Sequence, residues 1–252
     1  MFQIFYPTIY QPLYNILVFL YNNLAFHDFG IAIIIITLFL KVVLMPLSKK
    51  QIESQKKMQD LQPKIKELQN KYKNDKERQS KELMKFYKEN KTNPFGGCLP
   101  MIVQLIFLIA IYRIFFNVSS NGLRVQEGVL YSFISNPGQI NNMFIGIVNL
   151  AKPSIPLAIL AAIGQFYQTK TLMAKQNAVS PNKEKGGNQD FTQIMNKQML
   201  YLGPLLTLFI GIKFPAGLAL YWLVSTLFAI GQQLYLDNKL SFNILNVWKR
   251  KA

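Results

Sequence analysis

Five stretches of this chain are long apolar blocks, and that feature limits the folds open to it. They are residues 30–47 (GIAIIIITLFLKVVLMPL), 98–116 (CLPMIVQLIFLIAIYRIFF), 153–169 (PSIPLAILAAIGQFYQT), 199–214 (MLYLGPLLTLFIGIKF) and 216–236 (AGLALYWLVSTLFAIGQQLYL). A helix on a soluble domain interrupts its apolar residues every third or fourth position to make a solvent face. Several of these stretches have no such face. Half of all residues are hydrophobic, and they are gathered into blocks rather than spread evenly. The pattern predicts an all-α polytopic membrane protein with five transmembrane helices. A bilayer core of about 30 Å needs roughly 20 helical residues, so several spans are short and would thin the membrane or lean on neighbours.

The distribution of Lys and Arg sets the orientation. Segment 48–97 carries fourteen, 170–198 carries five and the tail 237–252 carries four. On the other side, residues 1–29 carry none, 117–152 carry Arg124 and Lys152, and Lys213 lies at the fourth turn. The basic segments are therefore expected in the cytoplasm, with the N-terminus outside and the C-terminus inside. A secretory signal peptide starts with a basic n-region, which residues 1–29 lack, so no cleaved signal is expected. The lack of a transit peptide favours a bacterial plasma (inner) membrane over an organelle.

Outside the spans the organisation is legible in outline. Residues 1–29 read as an outer interfacial segment, in which 12–24 (PLYNILVFLYNNL) are too short to cross and place Tyr10, Tyr14 and Tyr21 at headgroup level. Loop 117–152 is extracellular, rich in Asn, Gly and Ser around an apolar VLYSFI, and rests on the same surface. In 48–97, Met58, Leu61, Ile65, Leu68 and Tyr72 recur at spacings of three and four, and Leu83, Phe86 and Tyr87 resume the pattern after Asn74-Asp75. That predicts a basic cytoplasmic helical hairpin, against the simpler reading of a solvated charged loop. Residues 170–198 form a cytoplasmic linker, flexible over 176–190, and 237–252 a short basic tail.

The inventory of reactive groups argues against an enzyme. There is one cysteine, Cys98, and one histidine, His27, so neither a disulfide framework nor a zinc or iron cluster is expected. No G-x-x-x-x-G-K-[ST] loop cradles a nucleotide, and Gly186-Gly187 lies in a linker. Every Asp and Glu falls outside the spans, which removes the paired carboxylates of a proton relay. No cofactor or metal is expected.

The spans do hold polar side chains that lipid penalises: Thr37 and Lys41 in the first, Gln104 and Arg113 in the second, Gln165 and Gln168 in the third. Such residues face a bundle interior or water. Lys41 lies eleven residues past Gly30, roughly 16 Å along a helix. Two readings stand for it: a wet or paired intramembrane site, or a stem that snorkels to the cytoplasmic headgroups. For Arg113, nearer the outer end of its span, snorkelling is the favoured reading. Gln232 and Gln233 sit near the cytoplasmic end of the last span, where an interfacial role is equally open.

Segment 48–97 offsets its fourteen bases with seven acids, and its aromatics fall on the apolar face rather than among the lysines. Sequence-specific nucleic-acid binding is not expected. Contact with a ribosome or with anionic lipid headgroups fits the remaining charge.

Four ordered motifs then point to a family: FGIAIIIITLFLKVVLMPLSKKQ, LQPKIKELQNKY, NKTNPFGGCLPMIVQLIFLIAIYR and KFPAGLALYWLVSTLFAIGQQ. From residue 12 to 240 the chain resembles the YidC membrane-protein insertase family (the YidC/Oxa/Alb superfamily), in a short form without the large periplasmic domain. The resemblance implies five transmembrane helices around a hydrophilic groove open to cytoplasm and lipid and closed to the outside. It implies that nascent membrane proteins enter the bilayer through that groove, alone or with the Sec translocon. By position, Thr37 matches a substrate-contacting threonine, Trp222 matches a groove-lining aromatic, and Gln165 or Gln168 matches the polar wall. Lys41 falls where most members have arginine, which keeps the charge and loses the rigid five-donor fork. The N-terminal extra span and the lipidated cysteine of other branches are missing from this sequence.

The resulting expectation is an insertase and chaperone without bond-making chemistry, whose wet, positively charged groove shortens the dry path for polar substrate segments. The rival reading is a small channel or transporter with Lys41 and the glutamines lining a path. Missing carboxylates, the lack of an internal repeat and the large basic hairpin weigh against it. A purely structural assembly factor is the third reading.

Overall fold

A computed structural model of the protein describes residues 5–92, 99–120, 124–178 and 189–249. Among these, the chain is helical almost throughout: α1 Gln11–Asn23, α2 Phe29–Val43, α3 Met45–Asp60, α4 Gln62–Lys71, α5 Lys76–Glu89, α6 Leu99–Ser120, α7 Ile155–Ala178, α8 Gln189–Lys213 and α9 Ala216–Lys249. Among the described residues one sheet forms, a hairpin of β1 (Met143–Phe144) and β2 (Val148–Asn149), paired Met143 to Asn149 and Phe144 to Val148.

Helix ends differ from the apolar blocks for local reasons. The block at 30–47 ends its first helix at Val43, because Pro46 has no N–H for the ladder and its ring would meet the carbonyl four residues back. Pro46 instead occupies the first turn of α3, where a proline is tolerated. The later helices outrun their apolar blocks, α6 to 22 residues, α7 to 24, α8 to 25 and α9 to 34. In α7 and α8 helix-forming Lys and Gln, among them Lys170, Lys175, Gln193 and Lys197, continue the turns past the apolar residues. Residues 170–178 and 189–198 are thus helical, and 179–188, the centre of the expected linker, lie outside the described residues. Among the described residues, Ala216–Leu236 alone is long and apolar enough to cross a bilayer unaided. Phe29–Val43 with Met45–Ser54 qualifies as one broken span, and Val103–Val118 and Leu200–Lys213 are shorter apolar helices.

The chain divides into two compact units. The first draws on residues 1–44, 103–165 and 204–252. Its core gathers Phe29, Ile33 and Ile36 of α2, Ile111, Ile114 and Phe115 of α6, and Leu218 and Leu220 of α9. Lipid tails are as apolar as leucine, so contact among these helices rests on close packing rather than on escape from water. Small residues permit that approach: Ala32, Ala110, Ala158, Ala161 and Ala216 are fully buried. A Cβ on Gly211 would lie 2.7 Å from that of Ala158, and one on Gly217 would overlap the ring of Phe115.

In the outer segment Tyr10, Tyr14 and Tyr21 are buried against the rest of the protein. Loop 124–152 folds over α1 and satisfies two of their hydroxyls, Tyr14 accepting from the Gln126 amide at 2.9 Å and Tyr21 from the Asn141 amide at 2.8 Å, while Tyr10 accepts from Asn117 Nδ2 of α6 at 2.7 Å. Burial pushes the phenols of Tyr10 and Tyr14 up, Tyr14 to about 12. Asn15, also buried, donates to the Val129 carbonyl at 2.9 Å and accepts from the Tyr131 amide at 2.7 Å. The apolar VLYSFI is therefore bound through its backbone to α1. Asp28 caps α2 by accepting from the Ile31 amide at 3.0 Å, and its other oxygen accepts from Ile145 at 2.6 Å.

The second unit draws on residues 45–102 and 166–203. Within it α4 and α5 pack together across a turn in which Asp75 caps α5, accepting from Arg78 N at 3.0 Å. Gln79 Nε2 donates to the Gln69 carbonyl at 2.6 Å, and the Lys71 and Arg78 cations lie 5.5 and 5.3 Å from the Tyr72 ring. Ile65 is the one residue that α4 buries, and α5 buries none.

Candidate functional site

Burial changes along α2. Toward its start the helix buries Phe29, Ala32, Ile33, Ile36 and Thr37, whereas Leu38, Phe39, Val42 and Val43 are exposed. Lys41 falls at this transition and is half-buried. Its Nζ donates to Gln104 Oε1 at 3.1 Å. Among the described residues no carboxylate pairs with it.

Gln104 is the centre of the arrangement. Its Oε1 also accepts from Ser225 Oγ at 3.2 Å, and its Nε2 donates to the Tyr221 hydroxyl at 3.1 Å. Ser225 and Tyr221 are one turn apart on α9 and both are buried. One amide thus joins α2, α6 and α9. An amide offers two acceptor lone pairs and two donors, so three of the four positions on Gln104 are filled by these neighbours.

A second cluster lies on the adjoining face of α9. Trp222 Nε1 donates to Gln165 Oε1 of α7 at 3.0 Å, and Thr226 Oγ1 approaches the same oxygen at 3.5 Å. Gly164 packs beside this contact, where a Cβ would meet Thr226 Cγ2 at an ordinary 3.4 Å.

Lys41 and Gln104 are therefore brought together, as are Gln165 and Trp222. Thr37 is buried, and its hydroxyl donates to the Ile33 carbonyl at 2.6 Å, one turn back in its own helix. Gln168 lies three residues beyond Gln165 on α7, half-buried and without a side-chain hydrogen bond among the described residues. The Arg113 guanidinium sits over the Phe5 ring at 5.7 Å, held by an aromatic of the outer segment. Tyr221, Ser225 and Thr226 were missed in the sequence reading. The signal available was the pair of hydroxyls in LYWLVSTLF, at the spacing that repeats the Tyr221-Trp222 pair one turn on.

Chemically, the arrangement offers one cation and several amide and hydroxyl groups within apolar helices. It can attract an anionic segment and exchange hydrogen bonds with a polypeptide.

Apolar helices joined by small residues, with their polar side chains bonded to one another, define an all-α membrane protein. The family model described as 60Kd inner membrane protein matches residues 19–243. Proteins named membrane protein insertase YidC are 33% identical in Fusobacterium nucleatum over 233 residues, 32% in Pelobacter propionicus over 233 and 35% in Geotalea daltonii over 236. These alignments cover 92%, 92% and 93% of this chain. The chain spans 98% of the Fusobacterium relative but only 39% and 38% of the other two. This chain belongs to the YidC family of membrane protein insertases.

Proposed function

We propose that the protein inserts nascent membrane proteins into a bacterial inner membrane and helps them fold there, without bond-making chemistry. The observation that carries this is Lys41, a cation on an apolar helix, held by Gln104 beside Tyr221 and Ser225 where α2 becomes exposed. Five spans, with the N-terminus outside and the C-terminus in the cytoplasm, arrange α2, α6, α7, α8 and α9 around a hydrophilic groove. The groove receives a polar substrate segment and lowers its desolvation cost, and the substrate's apolar helix then partitions into lipid.

In this reading Lys41 supplies positive potential, and Gln104 holds it. Trp222 and Gln165 form the facing wall, which Gln168 extends. Thr37, buried and with its hydroxyl satisfied by Ile33, stands behind this surface rather than on it. The basic segment 48–97 meets anionic headgroups or a ribosome, and the Sec translocon is a partner for larger substrates.

Two measurements test the proposal. Purified protein in liposomes should protect the translocated tail of a small membrane protein from added protease, with and without translocon, and should leave a trapped dye in place. Leakage without protection would establish a channel instead. In a Cys98→Ser background, cysteines at Phe133 and Glu77 should label from opposite faces of intact cells; labelling of both from outside would end the five-span reading.

A further inference from the structure

From Gly128 to Ala151 the chain carries no Asp, Glu, Lys or Arg, although loops facing water on an ordinary domain draw on the charged quarter of its residues. The structure exposes large apolar side chains in that loop. Ile145 and Ile147, at the tip of the β1–β2 hairpin, are 63% and 80% exposed, and Phe133 is 79% exposed. Phe26, between α1 and α2, is 91% exposed.

These four side chains are gathered rather than scattered. The Ile145 amide donates to Asp28 at 2.6 Å, two residues from Phe26. Asn22 Nδ2 donates to the Ser135 carbonyl at 2.7 Å, two residues from Phe133. Asn141, at the approach to the hairpin, is bonded to Tyr21 at 2.8 Å. The segment 21–28 thus collects three parts of the loop at one end of α2. Single exposed apolar residues are ordinary, but a gathered set marks an interaction surface.

Backbone geometry adds a second observation. Ile145 has φ +52 and Gly146 φ +67, with the Ile147 amide donating to the Phe144 carbonyl at 3.0 Å, a tight turn with both central residues left-handed. Gly or Asn is cheapest at the first central position, and a β-branched residue is the most crowded there. Phe26 has φ +50. Bulky apolar side chains are presented outward at two positions where neither backbone nor water favours them.

We propose that this charge-free tip is a lipid-dipping foot, with Phe26, Phe133, Ile145 and Ile147 seated among the acyl chains just below the outer headgroups. Its height follows from Asp28. The same carboxylate caps the first turn of α2 and holds Ile145, so the tip lies level with the start of the first apolar span. Hydrocarbon is the occupant that asks for no charge and rewards four unlinked apolar side chains. The foot rests on the orientation proposed above, because it assigns the loop to the outer leaflet.

The test uses the full chain in proteoliposomes, with Cys98→Ser and single cysteines at Ile147, Phe133 or Gly128 carrying a nitroxide. Collision with oxygen should exceed collision with a water-soluble nickel chelate by about threefold or more at Ile147 and Phe133, with the reverse at Gly128. Chelate-dominated collision at Ile147 and Phe133 overturns the proposal, as does shielding from both reagents, which would mean cover by a second copy or another protein. Membrane-impermeant maleimide on the Gly128→Cys protein in intact cells reports the side separately. Failure there would refute the orientation while leaving the depth reading to stand or fall on the nitroxide data.

Discussion

Replacing Lys41 by methionine separates charge from fold, and the hydrogen bonds around Gln104 show why. Methionine keeps much of the lysine stem's apolar contact. Gln104 Oε1 still accepts from Ser225 at 3.2 Å and its Nε2 still donates to Tyr221 at 3.1 Å, so no buried acceptor is stranded. The loss of one bond should cost about 1 kcal/mol or less. The charge reaches further than the bond. A substrate carboxylate passing about 8 Å away gains about 2 kcal/mol at an effective dielectric near 20, and water in the groove lowers that value. Since 1.4 kcal/mol is tenfold, insertion of an acidic-tailed substrate should fall by about ten- to thirtyfold in Lys41→Met. A neutral-tailed version should change little. Lys41→Arg should retain most activity toward both, and Lys41→Glu should be worse than Lys41→Met for the acidic tail alone. The assay is protease-protected yield in liposomes for two substrates differing only in tail charge, with the unfolding midpoint of each variant measured beside it. Equal loss for both tails at an unchanged midpoint would refute the electrostatic role.

Two further outcomes follow from packing and titration. Gly217→Ala drives a methyl into the Phe115 ring, which is pinned against Phe29 at 5.2 Å, so it should lower stability by about 1–3 kcal/mol, while Gly231→Ala, with open space around it, should not; thermal unfolding in detergent compares them. Burial raises the Tyr14 phenol to about 12 from 10.0, so its neutral form is favoured by the fold. The stability this provides is full below pH 10 and is lost as pH rises toward 12. Tyr14→Phe should remove that part of the alkaline loss and, by leaving the Gln126 amide without its partner, lower stability by about 1–3 kcal/mol at neutral pH; unfolding midpoints between pH 8 and alkaline values check both.

The sequence reading reached Lys41, Gln104 and Gln165 because a long polar side chain in an apolar block is costly and therefore conspicuous, and reached Trp222 only through the family resemblance. It passed over Ser225 and Thr226 because a small hydroxyl can return its proton to its own helix at little cost, as Thr37 does. Spacing along α7 left Gln165 and Gln168 equivalent. The bond to Trp222 distinguishes them, and it depends on how two helices face each other. The cover over Tyr10, Tyr14 and Tyr21 was missed for a related reason. Aromatic amphipathicity does not reveal what covers the rings, and the bonds to those hydroxyls from α6 and the loop are tertiary contacts that no local pattern encodes. The break after Val43 was visible in Pro46, but hydropathy ran through it.

The two polar clusters also bear on how α9 is held. Tyr221 and Ser225 bond toward α6, while Trp222 and Thr226 reach Gln165 of α7. Turning α9 by one residue, about 100°, would break all four contacts. In lipid such bonds average only about 0.6 kcal/mol each, yet apolar surface there gives almost no preference for one rotation over another. Several small polar terms can therefore decide the register of a helix whose leucines would accept lipid or protein alike. Most polar residues in these spans thus have a structural use, and their presence alone does not argue for a groove. Lys41 is different. Gln104 would remain bonded to α9 without it, so the fold has little need of its charge, and a lysine is a costly way to supply one hydrogen bond among apolar helices. Its charge is the feature that structure leaves unexplained and that insertion of acidic segments would use.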